Sequence, residues 1–359
     1  MVSIFIASTG IFSERLVSLW LGLRLKNAGY KIGYFKPIGV NPVSNMMIDD
    51  DAIFMKKSLG LVESVETISP VVLTDELIKK VLQKSAYDFE SKIKQSFSVI
   101  SKDKDVVLIS STGTLNFGNI IGLSANKIAE LFDAEVLLLV RYKTSMCMLS
   151  MDEILVGKDI FKDRLKSVII NAVPNMENEF LSKVAVSYFE EKGVPICGII
   201  PRDKILGSVS VAELIENLGG TVLCLGDKCN KLDELLVENL CIGAMNVESA
   251  LKYFRSLPNK AVITGGDRAD IQIAALETST KCIILTGNLR PSAAVLGKAT
   301  EMSVPIIMVP TDTLTTVGRI TKMMGHLRLR EKKKITYACE LLDKCIDYEK
   351  LIKLFKISK

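Results

Sequence analysis

The apolar positions of this chain fall into two alternating kinds of segment. Short β-rich runs at 3–7, 31–35, 106–109, 136–140, 168–170 and 197–200 are separated by helical spacing at 13–27, 51–59, 75–101, 125–132 and 177–192. The β-rich runs are continuous rather than alternating, the pattern of strands buried on both faces of a parallel sheet. The expected fold is α/β, with helices on both faces of that sheet.

Near residue 200 the pattern breaks. Pro201, Gly207 and Ser208 interrupt it, and a short helical segment at 211–218 is stopped by Gly219-Gly220. A second alternation follows at 261–263, 269–277, 282–285, 293–302 and 305–309. The boundary is placed near Leu206, giving domains 1–205 and 206–359. Helical patterns around 317–324, 337–343 and 348–355 close the chain and are assigned to the second, smaller α/β domain.

Composition narrows this reading without changing it. With 48% apolar and 24% charged residues among 359, the chain is globular and long enough for two domains. No apolar run approaches the roughly 20 residues needed to span a bilayer, and the first run, Ile4 to Ala7, is too short for a signal peptide. A cytoplasmic protein without membrane contact is expected. Eight cysteines lack any CxxC spacing and His326 is the lone histidine, which argues against zinc and for reduced, buried thiols. The net charge of +5 is local: 319–359 carries 12 Lys/Arg against 5 Asp/Glu. The run RLREKKK at 328–334 has no aromatic residues interleaved for base stacking, so it reads as a solvated face rather than a nucleic-acid site.

The candidate chemistry begins at IFIASTGIFSERL. A strand, a Gly/Ser/Thr loop and a helix introduce a phosphate-binding loop, in which backbone N–H groups face an anion, lysine adds charge and a hydroxyl ligates magnesium. Thr9 and Gly10 supply small residues and Ser13 suits the helix N-cap. The Gly-Lys-Ser/Thr positions read Glu14-Arg15-Leu16. Glu14 brings bulk and a carboxylate that the helix dipole favours, so it is expected to fill the anion site itself. Arg15 is placed to touch a phosphate but is no equivalent of lysine, and Leu16 ligates no metal.

GYKIGYFKPIG at 29–39 and DDDAIFMKKSLGL at 49–61 resemble the dethiobiotin synthetase family. ISPVVLTDELI, GLSANKIAELFDAEVLLLVRY, VIINAVP and GIIPRD resemble more closely the synthetase-like N-terminal domain of long phosphotransacetylases. The resemblance implies a P-loop NTPase-like sheet over the first domain. It implies that Lys36 holds substrate and phosphate, that Asp51 assists magnesium, and that Asn171 reads an adenine with Pro201 beside it. Where the family has a second metal-binding acid, this chain has Ser110, followed by Ser111.

AVITGGDRADIQIAALETSTKCIILTGNLRPS at 261–292 resembles the DRTGG domain, which follows the synthetase-like domain in long phosphotransacetylases. Asp267 and Arg268 match its DR, and Thr286 and Gly287 its TG; Asn288 replaces the last glycine, a residue able to keep φ > 0. Gly266 and Gly287 allow close approach, Arg268 and Arg290 offer anion contacts, and Thr315 offers a hydroxyl, which suits a small anionic or nucleotide ligand. Pairing of DRTGG modules implies a homodimer.

A long phosphotransacetylase continues for about 300 further residues of catalytic domain, the size of one or two ordinary domains. The expected function is therefore a non-catalytic ligand-sensing protein acting on a phosphotransacetylase-type or acyl-metabolism enzyme. An ATP-dependent ligase of the dethiobiotin or cobyrinic acid diamide synthetase type, with Lys36 and Asp51 catalytic and magnesium bound, is the alternative. A homodimeric scaffold is the third.

Overall fold

The computed structural model describes residues 1–10, 13–40, 48–84, 87–144, 146–226, 231–323 and 332–358. It divides into two compact units, Met1–Arg202 with Ile335–Lys359, and Asp203–Lys334.

The first unit carries strands β1 (Val2–Ser8), β2 (Ile32–Phe35), β3 (Ile38–Gly39), β4 (Val71–Val72), β5 (Val106–Ser110), β6 (Glu135–Arg141), β7 (Leu165–Val173) and β8 (Ile196–Pro201). Six of them form one parallel sheet in the order β2-β5-β1-β6-β7-β8; β3 and β4 pair separately. Ile4 to Ala7, Val107 to Ile109 and Val136 to Val140 are completely buried, as continuous apolar runs require. The covering helices are α1 (Ser13–Asn27), α2 (Asp50–Leu59), α3 (Val65–Ile68), α4 (Asp75–Leu82), α5 (Phe89–Ile100), α6 (Ala125–Leu131) and α7 (Cys147–Phe161). Then α8 (Asn175–Phe180) runs through a π turn at Leu181–Ala185 into α9 (Val186–Glu191).

The helical segment expected at 75–101 is two helices, α4 and α5, each with its own N-cap, Thr74 and Asp88. Helix α7 was not expected at all. Its inward residues are Ser150, Ile154, Gly157 and Phe161, so small groups face the core while Met148 and Val156 face out. A Cβ on Gly157 would lie 2.3 Å from Leu138 Cδ2.

The end of the chain corrects the expected domain limits. Helix α15 (Lys332–Cys345), from Ile335 onward, and α16 (Tyr348–Leu354) belong to the first unit rather than the second. Ile346 bridges Gly198 of β8, and the Asp347 N–H donates to Cys197 O at 2.8 Å. This extends the sheet edge with chain from the far end of the sequence. Trp20 Nε1 donates to Asp343 Oδ1 at 2.8 Å, and the Trp20 and Tyr348 rings meet edge-on at 6.1 Å. An apolar face on α15 and α16 (Ala338, Leu342, Leu351 and Phe355 are completely buried) decides the matter over the basic charge around it.

The second unit holds β9 (Val209–Ser210), β10 (Thr221–Cys224), β11 (Leu236–Val237), β12 (Asn239–Ile242), β13 (Lys260–Gly265), β14 (Thr280–Thr286) and β15 (Ile306–Met308). Its five-stranded sheet runs β10-β15-β14-β13-β12, parallel except for β10. Val262, Ile283 and Ile306 pack on one face with α11 (Val247–Ser256), α12 (Ala269–Leu276) and α13 (Ala293–Glu301). Ala261, Ile263, Ile284 and Ile307 pack on the other with α10 (Val211–Leu218) and α14 (Thr313–Met323). At the start of β13, the buried Lys260 reaches Thr278 Oγ1 (2.9 Å) and Ser279 O (3.0 Å), and burial lowers its pKa to about 8.

No helix among the described residues is long and apolar enough to cross a membrane. Cys229, His326 and residues 328–331 of the basic run lie outside the described residues.

Candidate functional site

The first candidate site lies at the carboxyl edge of the six-stranded sheet, where open α/β sheets bind ligands. The Ser8 hydroxyl donates to Gly10 O (2.7 Å) and accepts from the Gly10 N–H (3.1 Å). Thr9 is drawn toward β6: its N–H donates to Leu139 O (2.9 Å) and its Oγ1 accepts from the Arg141 N–H (3.2 Å). A Cβ at Gly10 would lie 2.9 Å from Arg141 Cβ, so the neighbouring strand already demands glycine here. Helix α1 begins at Ser13, whose side chain, and hence the expected cap, lies outside the described residues, as do residues 11–12.

Glu14, Arg15 and Leu16 are all buried. Burial pushes the Glu14 carboxyl from 4.5 up to about 8, against the pull of its own backbone N–H and of Lys36. Desolvation thus outweighs these pulls and favours the neutral acid in the fold. Glu14 Oε2 has no hydrogen-bond partner among the described residues.

Arg15 lies 4.0 Å over the Phe54 ring, with Nη1 2.9 Å from Asp51 Oδ1. Arg15 Nε makes no hydrogen bond to a described residue. Lys36, buried just past β2, places Nζ 2.5 Å from Asp51 Oδ2 and 3.1 Å from Asp49 Oδ1. Asp49 caps α2 through the Ala52 N–H (3.1 Å) and also accepts from the Val40 N–H (3.0 Å). Burial alone would lower the Lys36 pKa, yet Asp51 and Asp49 hold it above its ordinary range. Burial likewise opposes ionisation of Asp51, yet Lys36 and Arg15 hold its carboxyl below the usual range.

Asp49 is the member of this cluster that sequence reasoning missed. Its signal was Gly39: a Cβ there would lie 2.6 Å from Asp49 Cβ and 2.7 Å from Oδ2, so glycine clears the space for the carboxylate.

Magnesium needs hard oxygen ligands. The carboxylate assigned to it by resemblance, Asp51, has both oxygens facing cations. Ser110, in the place of the second acid, donates to Ser111 O at 3.4 Å, and burial raises the pKa of its neighbour Tyr34, which keeps that phenol neutral. The residues present do not fit a magnesium triphosphate: its phosphates would meet cations already paired with Asp49 and Asp51.

Asn171 and Pro201 stand two and three strands from Thr9 on the same edge. A register shift after Ile170 leaves Ala172 at φ 62°, and Asn171 O accepts from the Tyr142 N–H (2.8 Å). The Asn171 side chain makes no hydrogen bond to a described residue.

The carboxyl edge of the second sheet gathers the other expected residues. Arg268 makes two 3.1 Å contacts to Asp270 and one of 3.0 Å to Met245 O. Asp267 is exposed beside it. Gly266 is fixed by packing, since a Cβ would meet Leu289 O at 2.0 Å. Gly287 and Asn288 take φ of 75° and 56°, and their N–H groups donate to Thr311 O and Val309 O, each at 3.0 Å. Asn288, in place of the pattern's last glycine, thus takes the positive φ expected of it. Thr286 Oγ1 lies 2.9 Å from Thr313 Oγ1, and Thr315 Oγ1 donates to Asp312, the cap of α14. Arg290 is exposed and pairs with no described residue. Gln272 is buried with Nε2 on Gly265 O (2.8 Å) and Oε1 unpartnered, and α12 begins without a side-chain cap.

Residues 10–210 match the AAA domain family and residues 213–323 match the DRTGG domain. Among curated proteins, the chain is similar to the phosphate acetyltransferase of Synechocystis sp., at 24% identity over 340 residues, 91% of this chain and 48% of that one. It is also similar to that of Nitrosomonas europaea, at 22% identity over 371 residues, 98% and 52%. The chain spans about half the length of these relatives. Among solved structures it is similar to the CBS and DRTGG domains of the regulatory region of Clostridium perfringens pyrophosphatase, complexed with the activator diadenosine tetraphosphate. That likeness has 18% identity, 42% of this chain, 74% of that chain and a TM-score of 0.30.

Proposed function

We propose that this chain, which belongs to the AAA domain family and carries a DRTGG domain behind it, is a non-catalytic, ligand-sensing regulatory protein. It corresponds to the N-terminal region of long phosphotransacetylases, works as a homodimer in the cytoplasm, and acts on a phosphotransacetylase-type or other acyl-metabolism enzyme.

One observation carries the reading. Lys36 and Arg15, the cations beside the loop, are both paired with Asp51 in a buried cluster. The charges that would stabilise a transferring phosphoryl group are neutralised inside the protein. The ligase alternative needs Lys36 and Asp51 together, and they are together, but as each other's counter-ion. In the second unit, by contrast, Arg290 pairs with no described residue, and Arg268 holds Asp270 only at the surface, where such pairs are worth little. The ligand is a nucleotide or a small anion seated there.

Thermal shift of the full chain with ATP, ADP, GTP, NADH, acetyl-CoA, and cyclic and dinucleoside phosphates tests this, with and without magnesium. Expected is stabilisation by one of them, independent of magnesium and lost in Arg268→Ala and Arg290→Ala. Magnesium-dependent stabilisation by ATP that disappears in Lys36→Met would overturn the reading in favour of a ligase. No stabilisation by any of them would leave the scaffold as the function.

A further inference from the structure

The carboxyl edge of the first sheet holds cations of two kinds. Lys36 and Arg15 are buried against Asp49 and Asp51, which neutralise them. Arg141, the last residue of β6, and Arg202, just past β8, have no acidic partner among the described residues. Lys143, two residues beyond Arg141, is taken by Glu153. The unneutralised charge of this edge is therefore carried by two arginines on either side of β7.

Arg141 is held in place by its backbone and its stem. Its N–H donates to Thr9 Oγ1 (3.2 Å), and its carbonyl accepts from Ser150 Oγ (3.4 Å), which itself accepts from the Lys143 N–H (2.8 Å). Ser150 is completely buried, and this clamp on residues 141–143 accounts for a hydroxyl on the inner side of α7. The Arg141 stem crosses Gly10: a Cβ there would lie 2.9 Å from Arg141 Cβ and 3.0 Å from its Cδ. The loop glycine thus gives its space to an arginine. Arg202 approaches from the other side. Its N–H donates to Val173 O (2.7 Å) and its Nη2 to Thr144 Oγ1 (3.3 Å), so the two guanidinium groups flank one short turn, 141–144. Asn171, in register with Arg141, lies on the strand between them with its amide unbonded to any described residue.

We propose that the crevice over β6, β7 and β8 binds a phosphate-bearing small molecule without magnesium, gripped by Arg141 and Arg202. The crevice outside strand carboxyl ends is where open α/β sheets take ligands. A guanidinium is a rigid fork of donors that matches phosphate oxygens. One fork fills a carboxylate, whereas two forks from opposite sides, with an amide between, call for the additional oxygens of a phosphate. Two arginines also supply the countercharge that a metal would otherwise bring. The anion position has in this sense moved from the loop, where the cations are neutralised, to the neighbouring strands. This site lies wholly in the first unit and is separate from the one proposed around Arg268 and Arg290.

The test is calorimetric titration of inorganic pyrophosphate into the full chain, free of magnesium, in an Arg268→Ala, Arg290→Ala background. That background removes the second-unit site, so its failure and the failure of this one are read separately. Expected is binding that Arg141→Gln and Arg202→Gln each weaken at least about tenfold, the loss of a charge-assisted hydrogen bond. Arg141→Lys should weaken it less, since it keeps the charge and loses the fork. Arg202 is exposed, so its variant reads binding without disturbing the core, and circular dichroism should be unchanged. Absence of pyrophosphate binding overturns the proposal. So does binding indifferent to Arg141→Gln and Arg202→Gln, binding that requires magnesium, or equal binding of malonate, a dicarboxylate of similar span.

Discussion

Lys36 Nζ lies 2.5 Å from Asp51 Oδ2, with both side chains buried and Asp49 on the other side of the ammonium. In a phosphate-binding frame these groups would face a ligand. Here they face each other. Removing one partner leaves an uncompensated buried charge, so Lys36→Met is expected to cost about 3–5 kcal/mol. Urea unfolding of the variant measures it. Adding Asp51→Leu to Lys36→Met should cost less than the sum of the two single changes, and strict additivity would contradict the pairing.

Glu14 gives the chain a pH dependence of defined sign. Its folded pKa, about 8, stands above the unfolded 4.5 because it is buried. Between these values the folded state keeps a proton that the unfolded state has lost, so its contribution is full below about 4.5 and falls as pH rises toward about 8. Glu14→Gln should therefore gain on the wild type as pH rises through this window, by at most about 1.4 kcal/mol per unit. Denaturation at a series of pH values would show parallel curves if Glu14 were ionised in the fold.

Lys260 has the opposite signature. Burial lowers its folded pKa to about 8 from 10.5, so above about 8 the unfolded state binds more protons and stability climbs with pH. Lys260→Met should remove this alkaline rise. The same titration series detects it, separated from the Glu14 effect by pH range.

Gly39→Ala tests the clearance around Asp49. The added methyl would sit 2.7 Å from Asp49 Oδ2. A loss of about 1–3 kcal/mol is expected. Much of it should persist where Asp49 is already alanine, which keeps the Cβ at 2.6 Å, and should vanish only where Asp49 is glycine.

Gly198→Val addresses the tail. Even one Cβ there would lie 2.9 Å from Cys345 O and from Ile346 Cγ1. The substitution should unseat residues 345–347 from β8, seen as faster hydrogen exchange at the Asp347 N–H, with β5 and β1 unaffected.

The strands were legible because burial on both faces writes itself as continuous apolar runs, as in Val136 to Val140. Helix α7 was not, because Ser150 and Gly157 face inward and Met148 faces out, inverting the usual amphipathic pattern. Glu14, Arg15 and Leu16 announced an altered loop. That the Glu14 carboxyl is pushed up depends on how deeply it is buried, which no local pattern encodes. Nor was the seat of the tail readable: Trp20 and Asp343 meet across 323 residues of sequence.

The tail changes what cutting the chain would do. Residues 203–334 lie between two segments of one unit, and Ile335–Lys359 is held to that unit by buried side chains and by the β8 edge. A single proteolytic nick within 203–334 would give two bands under denaturing conditions. Under native conditions the two pieces would still travel as one particle.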